Sequence, residues 1–233
     1  MSNYRYPIKI SKYGSHQQIR SFLVHYSADS GRKLSLLDIG CSTAGLGDAL
    51  DDLPFNYKGV EPFESDCLIA VEKGHDVISC SVEQAFDRLS EVFDFVVYAD
   101  VLEHLVDPAD VLKKSKALLD NRGILIISVP NVAHLWVRLQ LMMGQWNYTE
   151  RGILDKTHLR FFTRRSITKL VEENGFEILM LKVTPIPLES VLPFRENIFW
   201  KFLDLCNYIP AKFFPRVFGF QFLLIVKESR VND

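Results

Sequence analysis

Apolar residues along this chain fall into two alternating rhythms. Short, nearly continuous runs recur at Leu36–Ile39, Tyr57–Val60, Asp76–Cys80, Phe93–Ala99 (FDFVVYA), Ile124–Val129 (ILIISV), Phe176–Val183 and Phe218–Val226 (FGFQFLLIV). Between them, apolar positions are spaced three and four apart, as on one face of a helix, in Gln17–Tyr26, in the stretch after Gly45, in Glu64–Lys73, in Asp110–Leu119 and in Ser166–Asn174. Gly175 follows the last of these as its C-cap, and Asn121-Arg122-Gly123 reads as the turn before the fifth run. A continuous apolar run is the mark of a strand buried on both faces. Strands alternating with helices at this rhythm predict an α/β fold, a doubly wound sheet. Right-handed crossovers then bring the carboxyl ends of the parallel strands to one edge.

The rhythm fails in three places. Residues 1–35 open with the polar and aromatic stretch Tyr4–Tyr13, and the helical Ile19, Phe22, Leu23 and Tyr26 then serve either as a cover for the sheet or as a lid across the mouth of a site. Residues 132–165 hold Trp136, Met142, Met143, Trp146, Tyr148 and then GILDKTHLRFFT, too polar and aromatic for plain core, and read as a cap inserted over the active edge. Residues 184–217 are rich in proline and aromatics, among them Pro193, Phe194, Phe199, Trp200, Phe202 and Phe213, with Phe199, Phe202, Leu203 and Cys206 at helical spacing. That segment packs against the cap, forms a homodimer interface, or presents an apolar flap to a lipid-linked acceptor or membrane surface. The division expected is therefore one domain over 1–233: a cover (1–35), a ligand-binding core (36–131), a cap (132–165) and C-terminal strands (166–233) carrying the aromatic insertion.

Composition narrows the class. A chain of 233 residues, 48% hydrophobic, buries one sizeable core. With 27 basic and 29 acidic residues the net charge is −2, which gives no footing for nucleic acid. Cys41, Cys67, Cys80 and Cys206 are widely spaced with no C-x-x-C, so they read as reduced thiols rather than a disulfide framework or a zinc site. The first twenty residues have no apolar signal region, and no run reaches transmembrane length. The expectation is a cytoplasmic protein.

The chemistry starts at Leu36–Leu50, LLDIGCSTAGLGDAL, a strand, a turn dense in glycine (Gly40, Gly45, Gly47) and a helix whose first N–H groups point at whatever the turn holds. As a dinucleotide fingerprint it fails: Ser42 stands where the middle glycine should let a pyrophosphate approach, and Asp38 puts a carboxylate where one would be repelled. Asp38 suits a ligand carrying an ammonium group. These residues resemble the class I S-adenosylmethionine-dependent methyltransferases, whose first motif has the form D/E-x-G-x-G-x-G; here Ala44 stands at the third glycine, with Gly45 just after. Glu61 ends the second strand 23 residues after Asp38 and before Pro62, placed to accept from both hydroxyls of a ribose. The fourth strand ends at Asp100 and runs on as VLEHLVDP, which resembles the D/E-V-L-E-H segment of the ubiquinone-biosynthesis type.

The resemblance implies a mostly parallel, seven-stranded Rossmann-like sheet whose last strand is antiparallel, and S-adenosylmethionine as cofactor. It implies that Gly40, Cys41, Ser42 and Gly45 cradle the methionyl part, that Asp38 meets its ammonium, that Glu61 holds the ribose, that Ser81 lies near the adenine in place of the usual aspartate, and that Asp100 closes the cofactor side. The expected reaction is methyl transfer to a small-molecule acceptor, a hydroxyl of a sugar or metabolite. A hydroxyl acceptor needs a base, and the histidines on the active edge are His104, with Glu103 beside it, His134 and His158; His16, His25 and His75 are less suitably placed. Asp100, Glu103 and His104 also resemble the acid-x-x-Glu-His ligands that hold a divalent metal in some relatives, with His134 available to complete the set. Arg160, with Arg164 or Arg165, could hold an acidic or phosphorylated acceptor, although the latter two also read as a solvated helix start capped by Thr163. Two other readings remain: a nicotinamide-dependent oxidoreductase or epimerase, against which Asp38 and Ser42 stand, and a cofactor-binding scaffold that has lost its chemistry.

Overall fold

The computed structural model describes residues 11–28, 30–188 and 198–229; the start of the Tyr4–Tyr13 stretch, and Pro193 and Phe194 of the aromatic insertion, lie outside the described residues. In chain order the elements are α1 (Ser15–Ser27), β1 (Leu34–Ile39), α2 (Gly45–Leu50), β2 (Phe55–Glu61), α3 (Glu64–Glu72), β3 (Asp76–Ser79), α4 (Val82–Arg88), β4 (Phe93–Ala99), α5 (Pro108–Ser115) and β5 (Leu119–Pro130). The second half adds α6 (Leu135–Met142), α7 (Arg164–Glu173), β6 (Phe176–Thr184), α8 (Ile198–Phe213), α9 (Pro215–Phe218) and β7 (Gln221–Glu228). The strand order is β3-β2-β1-β4-β5-β7-β6. β1 to β5 pair in parallel, and β7 runs antiparallel between β5 and β6. The chain leaves β1 toward β2 and later returns to β1's other side with β4, so the carboxyl ends of β1 and β4 flank the switch point at which such sheets open a crevice.

Alternation along the strands feeds two cores. Leu125, Ile127 and Val129 of β5 and Leu224 and Val226 of β7 pack with Val111 and Leu112 of α5 and Ile167 and Val171 of α7. The intervening Ile124, Ile126, Leu223 and Ile225 pack with Ile19 and Leu23 of α1 and Leu46 and Leu50 of α2. Each such side chain contributes about 1.5–3 kcal/mol when fully buried, which is why both faces are covered. Helix α1 is therefore a cover for the sheet and not a lid. Inside the α5 layer, the Tyr98 hydroxyl lies 2.6 Å from Ser115 Oγ, so the one polar tip in that packing is satisfied.

Four boundaries differ from the sequence expectations. Asn121–Gly123 is no turn: β5 runs through it with a register shift against β4, and the backbone kinks so tightly that a Cβ on Gly123 would lie 2.9 Å from Asp120 backbone atoms. The helix expected over 110–119 is Pro108–Ser115, started by Asp107 accepting from the amides of Ala109 and Asp110, and it tightens to a single turn at Lys116–Leu118. The last strand begins at Gln221 because Pro215–Phe218 forms α9. Helix α4 was not expected, and its cap uses Ser81.

Candidate cofactor and acceptor site

The turn after β1 is held in conformations that side chains disfavour. Gly40 has φ +72, and a Cβ there would fall 2.6 Å from Val101 Cγ2. Ser42 (φ 49), Ala44 (φ 57) and Asp100 (φ 60) are the non-glycine residues with left-handed backbone among the described residues, and all three border the β1/β4 crevice. Such a backbone costs an L-residue about 1–2 kcal/mol, and strain of this kind collects where a ligand must be met. Ala44 directly precedes α2, whose first residue is Gly45.

The carboxylates around this turn are buried and supported. Asp38 accepts from the Tyr57 hydroxyl at 2.8 Å. Burial, reinforced by Glu61, pushes its carboxyl up to about 7 against the pull of that hydrogen bond. Glu61, at the tip of β2, accepts from the amides of Ser42 (2.8 Å) and Phe63 (3.0 Å); burial raises its pKa and the two amides draw it back. The Ser42 hydroxyl donates to Asp66 at 2.8 Å, which ties the turn to the start of α3. The donor set fits S-adenosylmethionine: Asp38 matches its ammonium in charge, and Glu61, fixed by two amides, retains acceptor capacity for a diol.

Three expected contributors also have partners within the protein. Cys41 is buried with its sulfur against Gly59, where a Cβ would come within 2.6 Å, and burial raises its thiol well above the ordinary range; its part in the turn is packing. The Ser81 hydroxyl accepts from Gln84 N while the Gln84 side chain accepts from Ser81 N, so it serves as the N-cap of α4. The Asp100 carboxylate turns across the sheet, accepting from Ser128 Oγ (2.9 Å) and from Gln221 Nε2 (2.7 Å to each oxygen).

On the other side of the crevice the cap is stitched onto the segment after β4. The carbonyl of Glu103 accepts from the amides of Leu159 (2.8 Å) and Arg160 (2.9 Å), and the Arg160 guanidinium donates to the Val106 carbonyl, so Arg160 is committed to this junction. The result is a cluster the sequence does not show as one: donor atoms of Glu103, His104 and His158 lie within 4.8 Å of one another, with Glu103 and His158 buried and His104 exposed. The two imidazoles meet edge to face at 4.8 Å. A carbonyl can only accept, so His158 Nδ1, 3.1 Å from the Ile153 carbonyl, carries the proton, and Nε2 is left as the base. His104 Nδ1 faces the Thr157 carbonyl at 3.3 Å, with the same consequence. Thr157 is itself fixed by Asp155, which accepts from its amide and hydroxyl. Burial, with His104 nearby, lowers the pKa of His158 and keeps it neutral near pH 7.

His134 does not join this cluster. It N-caps α6, its Nδ1 accepting from the Trp136 amide at 3.2 Å, and its ring lies against Phe220; a side chain holding a helix start by its lone pair has the opposite tautomer from His158. The donor group for a metal expected from Asp100, Glu103, His104 and His134 is correspondingly Glu103, His104 and His158. Sequence reasoning missed Tyr57, Asp66, Ser128, Thr157 and Gln221. Asp66 lies just past the β2 tip and was within reach of a motif argument, whereas Gln221 stands 121 residues from the aspartate it supports.

A doubly wound sheet with D-x-G at its first turn, an acidic second strand tip and a capped segment after β4 defines the class I S-adenosylmethionine-dependent methyltransferase frame. The chain belongs to the methyltransferase domain family, whose family model matches residues 13–181. It is 31% identical over 152 residues to the ubiquinone biosynthesis O-methyltransferase of Bradyrhizobium diazoefficiens, an alignment covering 62% of this chain and 59% of that protein. The chain thus spans between about two fifths and three fifths of the length of the curated relatives it matches. Among solved structures, a SAM-dependent methyltransferase from Archaeoglobus fulgidus superposes with TM-score 0.62 at 18% identity, covering 93% of this chain and 96% of that one. The magnesium protoporphyrin IX methyltransferase of Synechocystis PCC 6803, with bound S-adenosylhomocysteine, does so with TM-score 0.61 at 18% identity, covering 92% and 84%. S-adenosylmethionine is the cofactor of the family.

Proposed function

We propose that the protein transfers the methyl group of S-adenosylmethionine to a hydroxyl of a small-molecule acceptor, a sugar or similar metabolite, held between the crevice and the cap. The observation that carries this is the buried His158 whose Nδ1 proton is committed to Ile153, which leaves Nε2 as its acceptor nitrogen beside Glu103 and His104. The cofactor supplies a methyl group on a sulfonium, already a good leaving group. Cap and crevice then have to align the acceptor, worth about 7–11 kcal/mol, and take its proton, worth about 10²–10⁴-fold. His158 Nε2 accepts the hydroxyl proton as the oxygen–carbon bond forms and the carbon–sulfur bond breaks. The positive charge of the sulfonium would thereby pass to the imidazole, beside Glu103, so the net charge of a poorly solvated site would not change. The naming of the B. diazoefficiens relative as an O-methyltransferase supports the same acceptor atom.

One observation favours a second reading. An oxygen and two imidazole nitrogens within 4.8 Å suit Mn²⁺ or Zn²⁺ better than Mg²⁺, and Glu103, His104 and His158 would hold such an ion, which would polarise the acceptor oxygen. The test begins with calorimetric titration by S-adenosylhomocysteine, with NAD⁺ as the parallel control, followed by turnover of labelled S-adenosylmethionine on a panel of hydroxyl acceptors with and without chelator. Expected are binding of S-adenosylhomocysteine alone and O-methylation that survives chelation; loss in chelator selects the metal reading. NAD⁺ binding alone would return the oxidoreductase, and cofactor binding with no turnover on any acceptor would return the scaffold.

A further inference from the structure

Helices α6, α8 and α9 all stand at the carboxyl edge, α6 following β5 and α8 with α9 joining β6 to β7. The inner face of α8 is committed to the fold: Trp200 and Ala211 are buried, Asp204 accepts from Ser11 at 2.6 Å, and Tyr208 stacks on Tyr13 at 4.0 Å. Its outer face carries Phe199, Phe202, Leu205, Ile209 and Phe213 at helical spacing, all exposed, with Phe202 61% and Phe213 70% accessible. Met142, at the end of α6, is 82% accessible. Among the described residues nothing covers this stripe of five large apolar side chains, and an exposed apolar patch of this kind marks a contact surface.

Charge identifies what would cover it. On a chain of net charge −2, these three helices hold Arg138, Lys201, Lys212 and Arg216 against a single acid, Asp204, which is already bonded to Ser11. Arg138 and Arg216 line one groove with Arg164 and Arg165, and the only acid on its walls is Glu172. Among the described residues none of these four arginines takes part in an ion pair. A second copy is a poor occupant, since a two-fold interface would set these cations against themselves. Aromatic side chains on one helix face with arginines alongside, by contrast, match the boundary between acyl chains and phosphate headgroups.

We propose that α6, α8 and α9 dock the protein on an anionic lipid surface, the α8 stripe entering the acyl boundary and Arg138 and Arg216 resting on headgroup phosphates. Docked in this way, the carboxyl edge with its Glu103–His158 cluster faces the surface, so an acceptor carried on a lipid would reach it without leaving the bilayer. That last consequence rests on the reading of the cluster given above; the docking itself does not.

The test is sedimentation of the full chain with vesicles of phosphatidylcholine alone or mixed in equal parts with phosphatidylglycerol. Binding is expected to the mixed vesicles only and to weaken with salt. Each basic residue near an anionic leaflet is worth about fivefold, so Arg138→Gln with Arg216→Gln weakens binding about 25-fold, and Phe199→Ser with Phe202→Ser abolishes it. S-adenosylhomocysteine affinity is unchanged in both, which shows that the variants are folded. As a probe that leaves the apolar face intact, Phe202→Trp shows a blue-shifted emission on mixed vesicles. Equal binding to both vesicle types, or an emission that does not move, overturns the proposal. So does release by inorganic phosphate beyond that by sodium chloride of equal ionic strength, which would assign the arginines to free phosphate. A stable dimer dispersed by the phenylalanine variant overturns it in favour of a second copy.

Discussion

Between β1 and β4, three side chains accept left-handed backbone, and Asp38, Glu61 and Asp66 each receive a fixed hydrogen bond from within the site. Across the same edge, over β5, β6 and β7, the opposite holds: large apolar groups lie open and four arginines line a groove without an ion-pair partner among the described residues. The first region is organised in advance, its strain and burial already met by folding. The second leaves those groups exposed in the folded chain. On the function proposed above, a cofactor common to the family is matched by a rigid turn, whereas the acceptor is met by inserted segments. The Glu103–His158 cluster is the seam between the two, because cap backbone groups fix side chains that belong to the rigid edge.

The largest effect is expected at that seam. His158→Ala should lower turnover about 10²–10⁴-fold while leaving S-adenosylhomocysteine affinity intact in calorimetry. Because burial lowers the pKa of His158, activity in the wild type should fall only as pH drops below the ordinary histidine range. Equal loss of turnover and cofactor affinity would merge the seam into the rigid half. Next comes Gly40→Ala, which adds the cost of a left-handed alanine, about 1–2 kcal/mol, to a Cβ 2.6 Å from Val101, with overpacking of about 1–3 kcal/mol. Denaturant midpoints should show a loss of about 3 kcal/mol, with cofactor binding lost alongside. A mild effect would mean that the turn yields, and the contrast between the halves would weaken.

The same contrast explains what could be read from the residues alone. Sheet, helices and turn were legible because period and glycine position are local: Asp38, Glu61 and Asp100 sit at strand ends, and each strand announces its end by composition. Glu103, His104 and His158 were legible as residue types at the right edge but not as one cluster, since α5, β5 and most of the cap intervene between His104 and His158, which stand 54 positions apart. Ser81 and His134 share a role that the sequence left unread, each capping a helix. A side chain beside a strand tip and one capping a helix occupy the same kind of position in sequence, and only the direction of a hydrogen bond separates them. Partners such as Gln221 leave no local trace at all.

Asp38 offers a smaller but sharper measurement. Its carboxyl has a pKa of about 7 in the folded chain, against about 3.9 when unfolded. Between those values the folded state binds the extra proton, so this group's contribution is fully present below pH 4, falls by at most about 1.4 kcal/mol per pH unit as pH rises, and is lost above pH 7. Glu61, also raised by burial, adds a slope of the same sign, so the diagnostic is the part that Asp38→Asn removes. If the carboxylate also meets a ligand ammonium, S-adenosylhomocysteine binding must displace that proton. Affinity then rises through pH 7, and calorimetry in buffers of different ionisation heat records the release. No proton release would leave Asp38 as a support for Tyr57 beneath the turn.

The smallest expected effect comes from the reverse exchange four residues along. Ala44, with φ 57 and fully buried, precedes α2. Ala44→Gly relieves about 1–2 kcal/mol of left-handed strain, but it gives up about 0.5–1 kcal/mol of backbone entropy and about 0.8 kcal/mol of methyl burial. The terms cancel to within about 1 kcal/mol, so the denaturant midpoint should scarcely move and S-adenosylhomocysteine affinity should hold. Set beside Gly40→Ala, the pair separates two demands that a glycine-rich motif conceals. At Gly40 the space is taken by Val101, and nothing larger fits. At Ala44 only the dihedral is special, and a methyl group is tolerated because its burial offsets the strain. If Ala44→Gly were instead as damaging as Gly40→Ala, the methyl group itself would be holding the turn, and the departure from the family's third glycine would be a structural substitution of its own.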